Sequence, residues 1–169
     1  MKTFSDQLVE HIPHLRRYAR SLTRDIQQSE DLVQECLGRA LSRMSQWQAD
    51  TNLRAWLFTI MHNLHINNLR QRKLSSGADS LDGVELMDTR QNGQDTAMEM
   101  RDLERAMAQL TIEHREILML VCVEGMSYSE VASVLGVATG TVMSRLHRAR
   151  ETLRHWLSGE VPPKLRRVK

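Results

Sequence analysis

The sequence has few of the residues that build sheets or cross-linked folds. Aromatic residues make up 4% of its 169 residues, and it has three prolines and two cysteines. No long run alternates Val, Ile or Thr with polar residues, so we expect no β-sheet. Leu, Met, Val, Ile and Ala supply most of the 41% hydrophobic content, and a core of such residues suits packed helices. The composition predicts an all-α fold.

Several functional classes are excluded by missing motifs. The sequence has no G-x-x-x-x-G-K-[ST] loop, no glycine-rich dinucleotide motif and no clustered nucleophile and base. His62 with His65, and His11 with His14, each offer two metal ligands without a convincing third. We therefore expect no enzymatic activity, no bound metal and no cofactor.

The location of the protein is predicted from its cysteines and its apolar runs. Cys36 and Cys122 each lie alone in an apolar segment, so we expect both to be buried. Two unpaired thiols without a secretion signal fit a reducing cytoplasm. No apolar run reaches the length of about 18 residues that a membrane helix needs. The sequence therefore predicts a cytoplasmic protein with no membrane contact of its own.

The net charge of +2 hides two basic segments. Residues 54–73 contain four basic side chains and no acid, and residues 138–169 contain eight basic and two acidic ones. Residues 74–100, between them, contain six acids and one arginine. Two separated basic segments indicate two contacts with nucleic acid, although a basic helix face can also be simply solvated.

The last third of the chain predicts two short helices joined by a tight turn. Ser127 and Glu130 form a capping-box pattern at the start of the first helix, and Gly136 provides a positive-φ residue at its end. The second helix begins at about Thr139. Its apolar residues recur at helical spacing, and they are Val142, Leu146, Ala149 and Leu153. This is a helix-turn-helix pattern, which is typical of DNA-binding proteins.

The chain divides into two helical modules and a linker. Residues 1–74 contain three apolar stripes at helical spacing, and residues 99–169 contain the helix-turn-helix and end in a short basic tail. A first stripe of Met100, Leu103, Met107 and Leu110 opens the second module. Residues 75–98 are acidic and rich in Gly, Ser and Asp, which predicts a flexible linker. Such a linker spans about 25–30 Å as a coil and at most about 80 Å when extended. The modules could then contact DNA sites one to two turns apart.

Three motifs in this order resemble the extracytoplasmic-function (ECF) group of bacterial RNA polymerase sigma factors, in the sigma-70 family. Residues 29–40 read SEDLVQECLGRA, similar to the D-L-V-Q-E helix of sigma region 2. Residues 56–63 read WLFTIMHN, similar to the W-L-x-x-I-x-x-N segment. Residues 140–150 read GTVMSRLHRAR, similar to the recognition helix of region 4. The resemblance covers nearly the whole chain and implies a promoter-specificity subunit, with region 2 in residues 1–74 and region 4 in residues 99–169.

In the family, the D-L-V-Q-E helix docks on the coiled coil of the large polymerase subunit. The resemblance therefore implies core polymerase binding by Asp31, Gln34 and Glu35. These residues lie at i, i+3 and i+4, opposite the apolar side of their helix. From the residues alone, the same pattern describes an ordinary solvated helix face.

In similar proteins, the second motif opens the duplex and captures a base of the minus-10 element. Asn63 and Asn67, one helical turn apart, have amides suited to a base edge, and a capped or frayed helix is the alternative explanation for them. Three cations that follow are expected to track the displaced strand: Arg70, Arg72 and Lys73. Trp56 lies in the apolar stripe, so we interpret it as a core residue.

The resemblance places the minus-35 contacts on the recognition helix. Arg148 is the candidate for bidentate recognition of guanine, and Thr141 with Arg145 is expected to hold phosphates. Ser144 shares their face. Position 143 is Met where some relatives have Arg, which puts one DNA contact in doubt.

The resemblance implies three partners: core RNA polymerase, promoter DNA and an anti-sigma factor. Two other functions would fit part of the sequence. A plain repressor or activator would need only the helix-turn-helix and gives no role to residues 31–73. A decoy that titrates an inhibitor would have no need of the arginines in the recognition helix.

Overall fold

The computed structural model describes residues 3–48, 51–76 and 96–159. Within these ranges the chain forms seven α-helices and no strand, which confirms the all-α fold class. The helices are α1 (Phe4–Thr23), α2 (Ile26–Ser42), α3 (Leu53–Ser76), α4 (Thr96–Ala108), α5 (Ile112–Leu118), α6 (Tyr128–Leu135) and α7 (Thr139–Leu157). A 3₁₀ turn, Met44–Gln46, follows α2, and a π-helical turn, Met119–Val123, continues α5. Most of the predicted linker (residues 77–95) and the basic tail (residues 160–169) lie outside the described residues.

The N-terminal helices begin where side chains cap them. Thr3 and Asp6 form a reciprocal capping box on α1, and the Asp25 carboxylate accepts the Gln28 N–H at the start of α2. The Asn52 side-chain carbonyl accepts the Ala55 N–H at 3.2 Å before α3. Each cap satisfies a backbone donor that has no partner inside its helix.

The C-terminal helices follow the sequence pattern closely. Thr111 caps α5, and Ser127 with Glu130 forms the predicted capping box of α6. Hydrogen bonds from Ser127 lower the pKa of the Glu130 carboxyl. Gly136 has φ 64°, the left-handed conformation that ends α6 and turns the chain into α7 at Thr139. The predicted helix-turn-helix is therefore formed by α6 and α7.

One hydrophobic cluster contains residues of both helical groups, α1–α3 and α4–α7. In the N-terminal group, Tyr18 of α1 packs edge-to-face on Phe58 of α3, with ring centroids 4.9 Å apart. In the C-terminal group, Val142, Leu146 and Ala149 of α7 are buried as predicted. The groups meet where α1 packs on α5 and α3 packs on α6. The two groups are therefore packed together in this structure.

Some expected core residues are exposed. Met100 is 54% exposed and Leu103 is 38% exposed, because α4 buries its small residues Ala106 and Ala108 instead. Cys36 is buried as predicted, but the prediction for Cys122 is wrong. Cys122 lies in the π-helical turn, which changes the side-chain register and leaves it on the surface.

The two thiols should differ in reactivity. Burial raises the pKa of Cys36 to about 12, so the reactive thiolate is scarce near neutral pH. We expect a thiol reagent such as Ellman's reagent to modify only Cys122 in the folded protein, and both thiols in guanidinium chloride. The Cys122→Ser variant should show no fast reaction. Fast modification of Cys36 in that variant would contradict the packing of α2 on α3.

Candidate functional site

The recognition helix α7 has one buried side and one exposed polar side. Ser144 and Arg148 are exposed, and Thr141 and Arg145 are half-buried beside them. Nη2 of Arg145 lies 3.8 Å from the Glu113 carboxylate of α5, which orients this arginine. Ser144 and Arg148 therefore lie away from the buried face formed by Val142, Leu146 and Ala149, and Thr141 and Arg145 flank that face. Met143 is 51% exposed.

The predicted minus-10 residues lie on the C-terminal half of α3. Asn63 and Asn67 are exposed one turn apart. The three cations that follow, Arg70, Arg72 and Lys73, are exposed on the last turns of the helix. Nη1 of Arg72 donates to Oε1 of Gln28 at 2.8 Å, which ties the end of α3 to α2. Trp56 is half-buried and packs against the hydrophobic cluster, in agreement with a core role.

The predicted polymerase-binding residues form an exposed ridge on α2. Asp31, Gln34 and Glu35 are exposed, whereas Leu32, Val33 and Cys36 on the other side are buried. The Asp31 carboxylate accepts from Gln27 at 3.1 Å, and Glu35 pairs with Arg39 at 3.3 Å. Both carboxylates are held by contacts within the helix, in positions that remain open to a partner.

The structure brings part of the polymerase ridge close to part of the minus-10 set. Asp31 and Glu35 of α2 and Arg72 of α3 line one cavity of about 210 Å³. His65 also lines it, with Nε2 buried and without a hydrogen-bond partner among the described residues. Burial lowers the pKa of His65, which keeps the ring neutral near physiological pH. The minus-35 residues are on α7, a separate element of the fold.

Sequence reasoning missed a buried carboxylate between the two helical groups. The Glu124 side chain, which follows the π-helical turn, is completely buried. Its Oε2 lies 2.5 Å from Nδ1 of His14 and 3.7 Å from Nη1 of Arg54, and its Oε1 accepts from Nη2 of Arg17 at 3.0 Å. All three partners belong to α1 or α3. A carboxylate taken out of water needs partners of this kind, because an unpaired buried charge is strongly destabilising.

A second carboxylate, Glu116 of α5, repeats this arrangement about two helical turns earlier. Its Oε1 accepts the Tyr18 hydroxyl of α1 and lies 2.6 Å from Nδ1 of His62 on α3. Burial, together with the neighbouring Glu116, raises the pKa of Tyr18, so the phenol keeps the proton that it donates. We call Glu116 and Glu124, with these partners, the carboxylate seam. His14 and His62, considered above as metal ligands, therefore have carboxylate partners.

Arg115 adds backbone contacts next to the seam. It is buried, and it donates to the Ser21 carbonyl of α1 at 3.1 Å and to the Leu110 carbonyl at 2.8 Å. The sequence contained a signal for the seam: Glu116 and Glu124 flank the otherwise apolar segment 117–123. Acids beside such a segment are expected to be buried with partners, but their partners cannot be deduced from spacing.

A second cavity lies between the groups, with a volume of about 530 Å³. Trp47, Asn52 and Thr59 line it from the N-terminal group, and Glu130 and Ser133 of α6 line it from the other. Nδ2 of Asn52 donates to Oε1 of Glu130 at 2.9 Å. The first helix of the helix-turn-helix therefore covers the start of α3.

Residues 3–48, 51–76 and 96–159 contain neither a membrane-spanning helix nor a cluster of metal ligands. None of the helices there combines the length and the apolar content that crossing a bilayer requires. In the same ranges, no three His, Cys, Asp or Glu side chains are grouped as metal ligands would be.

Two family models match the chain, one for each helical group. Residues 8–62 match the model described as the Sigma2 domain of PhyR. Residues 100–153 match the model described as Sigma-70, region 4. The second match contains α5 to α6 and the exposed face of α7.

Curated relatives resemble the chain over most of its length. The ECF RNA polymerase sigma factor EcfG of Rhodopseudomonas palustris is 38% identical over 149 residues, which cover 88% of this chain and 81% of EcfG. The ECF RNA polymerase sigma factor SigL of Mycobacterium tuberculosis is 38% identical over 154 residues, covering 86% and 83% of the two chains.

A solved structure shares the fold. The sigma factor RpoE of Bartonella quintana, crystallised with the anti-sigma factor NepR, superposes with a TM-score of 0.78. It is 32% identical, and the match covers 94% of this chain and 98% of RpoE.

Proposed function

The chain belongs to the ECF group of RNA polymerase sigma factors, and from that premise we propose how its own residues perform promoter-specific initiation. Residues 1–74 act as region 2, residues 99–169 act as region 4, and residues 75–98 connect them. The protein contributes recognition and positioning, and the polymerase supplies the catalysis. The observation that carries the proposal is the helix-turn-helix, in which α7 buries its apolar face and exposes Ser144 and Arg148 to solvent.

Region 4 reads the minus-35 element through α7. The exposed guanidinium of Arg148 suits the two acceptors of a guanine edge in the major groove. Thr141 and Arg145 lie beside it toward the start of the helix, where hydroxyl and guanidinium donors hold phosphates. Ser144 completes this face. Its hydroxyl donates to the Thr141 carbonyl at 3.1 Å until a DNA group competes for it.

Region 2 engages both the polymerase and the minus-10 element. The ridge of Asp31, Gln34 and Glu35 binds the core enzyme through its acceptors. The exposed amides of Asn63 and Asn67 contact an unstacked base, and the cations at the end of α3 neutralise the displaced strand. Asp31, Glu35 and Arg72 line one cavity between α2 and α3, which supports the proposal that region 2 carries both functions.

An anti-sigma factor is the expected regulator. The Bartonella relative was crystallised with its anti-sigma factor, and its structure covers almost the whole of the present chain. We propose that a protein of the same kind holds this sigma factor inactive until it is released. The inhibitor and the promoter would then compete for the same molecule.

Reconstituted transcription tests the function directly. The purified chain, added to core RNA polymerase and a set of bacterial promoter templates, should produce run-off transcripts that neither component produces alone. Absence of transcripts from every template, with polymerase that responds to another sigma factor, would contradict the proposal. Nanomolar binding to duplex DNA by the chain alone, combined with no transcript, would instead indicate a plain repressor or activator.

A further inference from the structure

The packed arrangement of the two helical groups is too small to reach both promoter elements. By their names, the minus-35 and minus-10 elements are centred about 25 base pairs apart, or about 85 Å along B-DNA. A compact chain of 169 residues has a radius of gyration of about 16 Å and a diameter of about 40 Å. The groups must therefore separate before both elements can be bound.

The packed form also covers a surface that the open form would present. Asn52, just before α3, donates a hydrogen bond to Glu130 of α6. Residues of both groups line the cavity that contains Trp47 and Thr59. Any partner that approaches the start of α3 must displace α6 first. In contrast, the recognition face of α7 is exposed in the packed form. The packing therefore prevents simultaneous use of the two groups without blocking region 4 itself.

We infer that the carboxylate seam is an intramolecular latch that keeps the free sigma factor closed, and that its opening is part of activation. This inference rests on the proposed function, since it concerns when the two DNA-binding groups become available together. The contacts of the Glu124 carboxylate with His14, Arg17 and Arg54 all cross between the groups. The hydrogen bonds of the Glu116 carboxylate, to Tyr18 and His62, cross between them as well.

The chemistry of the seam suits a reversible contact. Buried ion pairs gain little over their solvated components, because their attraction is offset by the loss of hydration. When the groups separate, both carboxylates and the guanidinium groups of Arg17 and Arg54 gain water, so opening leaves no charge stranded in an apolar environment. A purely hydrophobic interface of the same size would expose apolar surface on opening and would separate less readily.

The Glu124→Gln variant tests the latch at its most buried point. Glutamine keeps the shape and removes the charge that the Arg17 and Arg54 guanidinium groups share, so the open population should rise by at least about tenfold. Small-angle X-ray scattering of the full chain should then give a larger radius of gyration than the parent, without polymerase or DNA. Run-off transcription at limiting sigma factor should increase severalfold. Glu99→Gln, an exposed carboxyl on α4 outside the seam, is the matched control and should change neither. An unchanged radius for Glu124→Gln overturns the assignment.

A reversible cross-link tests whether closure itself is inhibitory. Gln48 and Ser133 line the same cavity from opposite groups and are exposed. Cysteines at these two positions, in a Cys122→Ser background, can be joined by a disulfide-containing bis-maleimide. The joined protein should give no transcripts, and cleavage with dithiothreitol should restore them. Full transcription by the joined protein overturns the latch, whereas absence of transcripts after cleavage and from the unmodified parent contradicts the sigma function instead.

Discussion

Reversing the charge of Arg148, in an Arg148→Glu variant, should lower minus-35-dependent transcription by about a hundredfold. A bidentate contact to guanine contributes about 1–3 kcal/mol of discrimination, and about 1.4 kcal/mol corresponds to a factor of ten. A carboxylate at the same place also repels the neighbouring phosphates. The Arg148 side chain is exposed and lies away from the buried apolar face of α7, so the fold should be unaffected.

The measurement is run-off transcription together with anisotropy of a labelled duplex that carries the minus-35 element. Arg101→Glu makes the same charge change on α4, away from the recognition face, and is the control. Binding of an anti-sigma factor should survive in the Arg148 variant, which separates a sigma factor from a decoy. Equal transcription by the two variants would remove Arg148 from the proposed DNA contact.

The second large effect is expected on the polymerase ridge. Replacing Asp31 and Glu35 together by lysine should weaken binding to core polymerase by about a hundredfold or more. The new lysines would face the cationic groups of the polymerase that the two carboxylates are proposed to bind, and like charges facing each other across an interface cost several kcal/mol. Both carboxyls are exposed, and they accept hydrogen bonds from Gln27 and Arg39 within α2. The substitutions should therefore leave the melting temperature nearly unchanged.

Co-purification with core polymerase and titration of transcription measure this loss. A variant with Glu99→Lys and Asp102→Lys carries the same total charge change on α4 and should bind polymerase normally. Affinity of the ridge variant for a minus-35 duplex alone should be retained, since α7 is untouched. If the ridge variant still co-purifies with core polymerase as well as the parent protein does, the polymerase binds another surface of the sigma factor.

The helices and their ends could be predicted because they depend on nearby residues. The Ser127 and Glu130 capping box, the left-handed Gly136 and the start of α7 at Thr139 all involve contacts within a few positions along the chain. Such contacts have a fixed spacing, so the sequence shows them directly. The same holds for the exposure of Asp31, Asn63 and Arg148, because helical periodicity separates an apolar face from a polar one.

Predictions that needed knowledge of neighbours were less successful. Cys122 was expected in the core and is exposed, since a π-helical turn shifts the register that periodicity assumes. Met100 and Leu103 form a regular stripe, yet α4 packs through Ala106 and Ala108. For α4, the side that is buried is determined by its packing on α7.

The sequence by itself determined the all-α class, the helix-turn-helix, the polar faces and the two basic segments, because each is encoded within a few turns of helix. Only the tertiary structure decided that the two groups close on each other through Glu116 and Glu124. His14 lies 110 positions from its partner Glu124, and Tyr18 lies 98 positions from Glu116. No spacing rule connects such residues, since their contact depends on how whole helices pack and on the need of a buried carboxylate for hydrogen-bonding partners.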